Sequence, residues 1–354
     1  MKGVPFRQTL VTGHDQRPSG PPIFVVGAPR SGTTLVARIL NRHPGIFMPA
    51  ETNFFLDIYE RKAELGELPD PSTAQRVCTR LRTIYRRYSE PFTDQRRVDV
   101  IFSDAELCER IRESMSSYRN ALDTFMRVQA EFEGKRRWGN NTPKDLFYVK
   151  QIVEYFPDVR FIACTRDVRD FLKSYRDKWR ATTKHEVSRI KRLYHPVVTT
   201  LLWKASMRRV LEMQDNLPPG QVLQVRYETL VSEPRKEVRR ICEYLEESYD
   251  PGLLNIDFTN SADQSGAVGI YPDSVGRWRE KLSREEAWIA QELASEEMRL
   301  FHYRPERIRV NPIRVAGLLL STPWALWHGL KANRTHTGPV VPYLFRRLEA
   351  LFHH

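Results

Sequence analysis

Apolar positions along the chain follow two rhythms. Ile23 to Val26 is an unbroken, largely β-branched run ending at Gly27, which predicts a short buried strand over 23–27. From Thr33 to Arg42 the apolar residues Leu35, Val36, Ile39 and Leu40 recur at helical spacing, and "HPG" at 43–45 stops that helix. The first unit is therefore strand, glycine loop, helix. The same grammar returns twice. Residues 140–179 read as helix, turn, strand, turn, helix, with the strand at Phe161–Cys164 after the Pro157-Asp158 turn. Val222–Val225 predicts another strand, and Ser232 is a cap for a helix reaching about Glu246. Ser283 and Glu286 have the spacing of a capping box.

The stretch between the first two units is different. Residues 54–133 read as mainly helical, with breaks near "LPDPSTA" and "SEPFTDQRR". Ser103 is a cap for one helix over about 104–132, whose stripe of Leu107, Ile111, Met115, Tyr118, Leu122 and Phe125 predicts core packing. Residues 251–280 form a long glycine-bearing loop, and 1–20 an irregular lead-in. Short strands alternating with helices imply an α/β fold, a parallel sheet flanked by helices on both faces. The expected layout is one domain over 1–303 with a helical insertion at about 54–135, followed by a helical tail at 304–354.

That tail changes character. "RPERIRVNPIR" (304–314) carries four arginines and one glutamate. "VAGLLLSTPWALWHGL" (315–330) carries no charged residue and has Trp324 and Trp327 near its end. It falls short of the roughly 20 apolar residues of a spanning helix. Two readings remain: a flat interfacial helix pair at a membrane, or an element packed on the domain or on another copy.

Composition narrows the partners. The 354 residues are 41% hydrophobic and 28% charged, enough for a sizeable core without disulfides. The four cysteines, Cys78, Cys108, Cys164 and Cys242, form no C-x-x-C pair and read as buried or free thiols. The net charge of +12 points to an anionic partner. Lys and Arg are dispersed and no nucleic-acid module is readable, so nucleic acid is not expected. The N-terminus lacks the apolar core of a signal peptide, and the expected location is cytoplasmic, with peripheral membrane contact through the tail as the variant reading.

The candidate chemistry begins at "VGAPRSGTT". Backbone N–H groups of such a loop and of the helix start converge on one concavity that suits an anion. Gly27 and Gly32 have phosphate-loop spacing, but Thr33 stands where a nucleoside-triphosphate loop carries lysine. Arg30, Ser31, Gly32, Thr33 and Thr34 are thus equipped for a terminal phosphate and poorly equipped for γ-phosphoryl transfer. In "TRDVRDFLKSY", Arg166 and Asp167 follow the second predicted strand, where open α/β sheets place ligands, and Ser174 lies about two turns into the next helix. Glu51, in a loop after the first helix, has the chemistry of a general base. His43 ends a helix and reads as structural, and nothing singles out His185 or His195.

Together these segments resemble the nucleotide-activated sulfotransferases, which use 3′-phosphoadenosine 5′-phosphosulfate (PAPS). The resemblance spans about 22–300 and rests on "VGAPRSGTTLVARILNRHPGI", "FPDVRFIACTRDVRDFLKSY", "VRYETLVSEPRKEVRRICEYL" and "VGRWRE". It is strongest toward bacterial carbohydrate and lipid enzymes and the tyrosylprotein enzymes. It implies a P-loop-type sheet and a donor whose 5′-phosphosulfate end is held by Arg30, Ser31, Gly32, Thr33 and Thr34. It implies further that Arg166 and Ser174 grip the 3′-phosphate, that Tyr227, Arg277 and Trp278 line the nucleotide, and that Glu51 is the base. No metal is implied. Many relatives carry lysine just before "TP"; here that position is Asn141, and Lys144 is the candidate cation near the transferred group together with Arg30. The acceptor is a hydroxyl-bearing molecule whose pocket falls to 54–135 and 180–200. A P-loop phosphotransferase and a non-catalytic anion or membrane-surface binder are the competing readings.

Overall fold

The computed structural model describes residues 20–49, 51–89, 104–178, 187–256, 269–333 and 340–352. Its centre is a five-stranded sheet of β1 (Ile23–Gly27), β2 (Ile46–Phe47), β3 (Arg137–Asn141), β4 (Arg160–Thr165) and β5 (Val222–Arg226). The strand order is β2-β3-β1-β4-β5 and every pairing is parallel. The chain runs outward from β1 on one side, returns past it, and continues on the other. Thus β1 sits between β3, where Ile23 pairs with Gly139, and β4, where Ile23 pairs with Arg160.

A central parallel strand is covered on both faces, so both sets of alternating side chains must be apolar. Phe24 and Val26 point into one core and Ile23 and Val25 into the other. The second core is closed by α1 (Thr33–Asn41), through Val36, Ile39 and Leu40. The first is covered by α2 (Pro71–Ser89), α3 (Asp104–Glu113), α4 (Tyr118–Phe132), α5 (Val149–Tyr155) and α6 (Val168–Arg176). After α7 (Val187–Arg192), α8 (Pro196–Asn216) adds Trp203, Met207 and Val210 to that core. Next, α9 (Pro234–Leu245) joins α1 on the opposite face through Val238, Ile241 and Leu245. The expected α/β sheet with helices on both faces is therefore present. The helix α10 (Arg284–Leu293) opens with the expected reciprocal capping box between Ser283 and Glu286.

Several expectations are corrected. The segment read as a helix from Asn140 begins instead as the end of β3, whose sequence "RWGNN" has a single large apolar residue. Its place in the sheet comes from contacts distant in sequence. The Trp138 indole N–H donates to Asp123 Oδ1 at 2.9 Å, and the ring meets Phe24 edge-on. The buried Arg137 guanidinium donates to the Pro21 and Leu245 carbonyls. The single helix expected over 104–132 is two, broken at Ser114–Ser117, and Ser117 caps the second by accepting from the Asn120 N–H. The stripe survives the break: Ile111, Met115, Tyr118, Leu122 and Phe125 are all buried. Ser103 lies outside the described residues. Ser232 caps nothing; Glu233 precedes Pro234, whose fixed φ suits the first position of α9.

The C-terminal part is helical, with α11 (Pro312–Leu320), α12 (Thr322–Asn333) and α13 (Val340–Phe352). Val315 and Leu318 of α11 pack against Val197, Leu201 and Ile289. The last helix, α13, lies along α8, where Arg209 pairs with Glu349 at 2.7 Å, and Arg346 pairs with Glu60. No helix among the described residues is long and apolar enough to cross a membrane.

Candidate active site

All five strands run in parallel, so their C-terminal ends open onto one edge of the sheet. The candidate residues follow those ends: Arg30 to Thr34 after β1, Glu51 after β2, Lys144 after β3, Arg166 after β4 and Tyr227 after β5. Ligand crevices in such sheets form where strand order reverses, here beside β1.

The loop after β1 is shaped by two close approaches. Gly27 has φ +150, and a Cβ there would stand 2.4 Å from the Cys164 carbonyl oxygen of the neighbouring strand. Gly32 has φ +96, and a Cβ there would stand 2.6 Å from Cδ2 of Tyr227. Between them Arg30 holds φ +72, a left-handed conformation that costs a non-glycine residue about 1–3 kcal/mol and persists only where neighbours enforce it. Two contacts do so. Arg166 Nη1 donates to the Arg30 carbonyl at 3.1 Å, and Arg30 Nε donates to Ser174 Oγ at 3.2 Å. No side chain caps the start of α1, so the N–H groups of its first turn face the concavity. The buried Ser31 hydroxyl has no partner among the described residues. Thr33 is buried at the helix start, whereas Thr34 is exposed.

Arg166 is held from several directions. Its carbonyl accepts from the Trp203 indole at 2.8 Å, and the next N–H, of Asp167, donates to Glu228 Oε1 at 2.9 Å. Its guanidinium lies 4.1 Å from the centre of the Tyr227 ring and donates through Nη2 to the Ser274 carbonyl at 3.1 Å. Its Nε is buried with no partner among the described residues. The Tyr227 hydroxyl is 2.6 Å from Ser274 Oγ, which ties β5 to the late loop. Asp167 pairs with Arg169 at 2.7 Å, not with Arg166. Ser174 meets Arg30, and Arg30 in turn meets Arg166, so the loop arginine bridges the two residues read as one phosphate grip.

The late loop is anchored from below. Asp170 of α6 accepts from the Gly276 N–H at 2.6 Å and the Trp278 N–H at 3.0 Å. Trp278 itself is buried in the core, with the Arg169 guanidinium 4.2 Å from its ring. Its side chain therefore supports the loop from beneath. Arg277 is half-buried at the start of that short helix.

The chain just after Glu51 is fixed by a buried polar relay. The Thr52 N–H donates to Thr142 Oγ1 at 3.1 Å and the Thr52 hydroxyl to Asn140 Oδ1 at 2.9 Å. Asn140 Nδ2 then donates to Asp145 Oδ2 at 2.6 Å. Desolvation raises the Glu51 carboxyl above its ordinary range, opposed in turn by Lys144, Lys178, a hydrogen bond from Asn53 and Arg30. Burial first, and the Glu51 charge second, raise Asp145 well above the carboxylate range. Burial, then Arg166, lower the proton affinity of Arg30, while Tyr227 and Glu51 raise it. Lys144 thus lies in the field of Glu51, as does Lys178, which sequence reasoning missed. A basic residue one turn beyond Ser174 was a signal for Lys178, but helix phase alone did not aim it across the cleft. Asn141, the position where lysine was sought, is buried, and its Oδ1 has no partner among the described residues.

The donor set is guanidinium, hydroxyl and backbone N–H, and two of its buried polar atoms, Ser31 Oγ and Arg166 Nε, have no partner among the described residues. That is the chemistry of a phosphate or sulfate site. No cluster of metal-ligating side chains occurs among the described residues.

The family profile described as "Sulfotransferase family" matches residues 21–251, well over half of the chain. This chain belongs to the sulfotransferase family. Membership sets the phosphotransferase reading aside for this chain. It is 27% identical over 275 residues to an uncharacterized protein of Aquifex aeolicus, a match covering 74% of this chain and 31% of that one. It is 24% identical over 233 residues to a putative protein-tyrosine sulfotransferase of Caenorhabditis briggsae, covering 66% and 68%. The chain thus spans about a third of the first of these relatives and two thirds of the second. Among solved structures, the sulfotransferase domain of the Synechococcus PCC 7002 olefin synthase aligns with a TM-score of 0.48 at 21% identity, covering 80% of this chain and 98% of that one.

Proposed function

We propose that this sulfotransferase moves a sulfuryl group from PAPS to a hydroxyl of a glycan, lipid or other small molecule. In this reading Arg30, Ser31, Gly32, Thr33 and Thr34 hold the 5′-phosphosulfate end of the donor. Arg166 and Ser174 bind the 3′-phosphate, and Tyr227, Arg277 and Trp278 shape the nucleotide side, Trp278 from beneath. Glu51 takes the proton of the acceptor hydroxyl as its oxygen bonds to sulfur. The bond from sulfur to the bridging oxygen breaks, and 3′,5′-ADP leaves with the electron pair. Arg30, Lys144 and the loop N–H groups balance the charge that grows on that bridging oxygen. No step calls on a metal ion. A cytoplasmic location belongs to the proposal and is supported by the buried thiols of Cys164 and Cys242, which form no disulfide.

The observation that carries the reading is the Glu51 carboxyl set in the field of Lys144, Lys178 and the β1-loop residue Arg30, near Ser31 Oγ of that loop, which like Arg166 Nε after β4 is buried with no partner among the described residues. A base of raised pKa facing an anion cradle is what transfer to a hydroxyl requires. Calorimetric titration with 3′,5′-ADP, without metal, tests the donor half. Turnover of labelled PAPS on a panel of glycans and lipids, with Glu51→Gln as control, tests the other. No binding of 3′,5′-ADP by the wild type would overturn the donor assignment.

A further inference from the structure

The face of the molecule farthest in sequence from the loop is unlike the rest of its surface. Along α11 and α12 the inner residues Val315 and Leu318 pack on the body, and the outer ones do not. Ile313 is 82% exposed, Leu320 81%, Trp324 69% and Trp327 63%. Their spacing of seven, four and three residues places them on one side of a nearly continuous helical stretch. The stretch is continuous because the Ser321 N–H bonds back to the Gly317 carbonyl and the Ala325 N–H to the Ser321 carbonyl. A largely exposed apolar stripe with two tryptophans is costly in water and unusual on a monomer.

The charge around the stripe identifies what covers it. No acidic residue occurs between Glu306 and Glu349. Arg307, Arg309, Arg314 and Lys331 flank the stripe and are exposed. A two-fold contact with a second copy would bring these cations against their own images. An anionic lipid surface instead meets them with opposite charge and takes the tryptophans at headgroup depth. We propose that α11 and α12 form a membrane-docking face that lies flat on anionic lipid. This goes beyond the sulfuryl-transfer reading and does not depend on it.

The test is flotation of the full chain with vesicles of phosphatidylcholine alone and of phosphatidylcholine with about 30% phosphatidylglycerol. The protein should float with the anionic vesicles, and binding should fall steeply at about 0.5 M salt, where the Debye length shrinks to roughly 4 Å. The double variant Trp324→Ser/Trp327→Ser should bind about tenfold more weakly or less, with its circular dichroism melt unchanged. Arg309→Ser/Arg314→Ser should lose the preference for anionic lipid while keeping the fold. The proposal is overturned if the wild type floats with neither vesicle, or if both variants float as well as the wild type. It is equally overturned if light scattering shows a dimer that the tryptophan substitutions dissociate without any lipid binding, which would assign the face to self-association.

Discussion

The ring of Tyr227 lies against the α-carbon of Gly32, so close that a methyl group there would meet Cδ2 at 2.6 Å. The contact joins the loop after β1 to the end of β5, over the one intervening strand, β4. Gly32 also holds φ +96, so an alanine meets two obstacles, one steric and one conformational. Gly32→Ala should cost about 1–3 kcal/mol of stability and weaken 3′,5′-ADP binding by at least about tenfold. Because the backbone conformation is half of the problem, adding Tyr227→Ala should recover only part of the loss. Full recovery in the double variant, read by calorimetry, would mean that the ring alone sets the requirement.

Arg166 contributes more than a charge. Its guanidinium stacks on Tyr227, braces the left-handed Arg30 carbonyl and holds the Ser274 carbonyl of the late loop. Arg166→Ala should therefore reduce 3′,5′-ADP affinity by about a hundredfold, at the upper end for hydrogen bonds to a charged group. Arg166→Lys should rescue little, since an ammonium cannot make the stacked, forked contacts. Ser174→Ala removes one hydroxyl, which accepts from Arg30 and in the proposal also meets the 3′-phosphate, and should cost about fivefold. Equal losses in the alanine variants at 174 and 166 would contradict this ranking.

As the proposed base, Glu51 should set the acidic limb of the rate profile. As the base it must be ionised, so turnover rises with pH through its raised pKa. Glu51→Gln should lower kcat by about 10² to 10⁴ while leaving 3′,5′-ADP affinity within about twofold. Lys178 favours the charged carboxylate. Removing it in Lys178→Ala should move the acidic limb to higher pH, with the plateau rate little changed. Lys144→Ala should shift the limb in the same direction and also depress the plateau, since Lys144 is proposed to face the transferred group. A limb that moves to lower pH in either variant would show that another group titrates there.

The sequence discloses those parts of the site that lie on one local pattern. The apolar run of β1, the glycines of its loop and the start of α1 are contiguous, so a phosphate cradle is legible from Ile23 to Leu40. Arg166 and Ser174 are legible because one follows a strand and the other rides the next helix, whereas Tyr227 is legible only through the family resemblance. The support for Glu51 is not. Asn140, Thr142 and Asp145 act on it across some 90 residues of chain, from a strand that carries almost no apolar signal. Lys178 reaches Glu51 only through the fold. The split between α3 and α4 was hidden for the opposite reason: the stripe from Ile111 to Phe125 keeps its helical phase across the break at Ser114–Ser117.

Asp145 gives a stability prediction whose sign is fixed by its surroundings. Its carboxyl is buried beside Glu51, accepts from Asn140, and has its pKa raised well above the ordinary value of about 3.9. Below that value Asp145 is protonated whether the chain is folded or unfolded, and it has no effect on the balance. As pH rises, the unfolded chain ionises Asp145 freely while the folded chain resists. The folded state loses relative stability over that interval, until pH passes the raised folded value. In Asp145→Asn the amide oxygen can still accept from Asn140 Nδ2, and no charge develops. The variant should melt close to the wild type near pH 4 and progressively above it toward pH 8. Melting curves at constant ionic strength across that range read the difference directly. A gap that stays flat with pH would mean that the relay does not hold this carboxyl neutral. A variant whose deficit grows with pH would mean that the ionised form of Asp145 is what steadies the Glu51 loop.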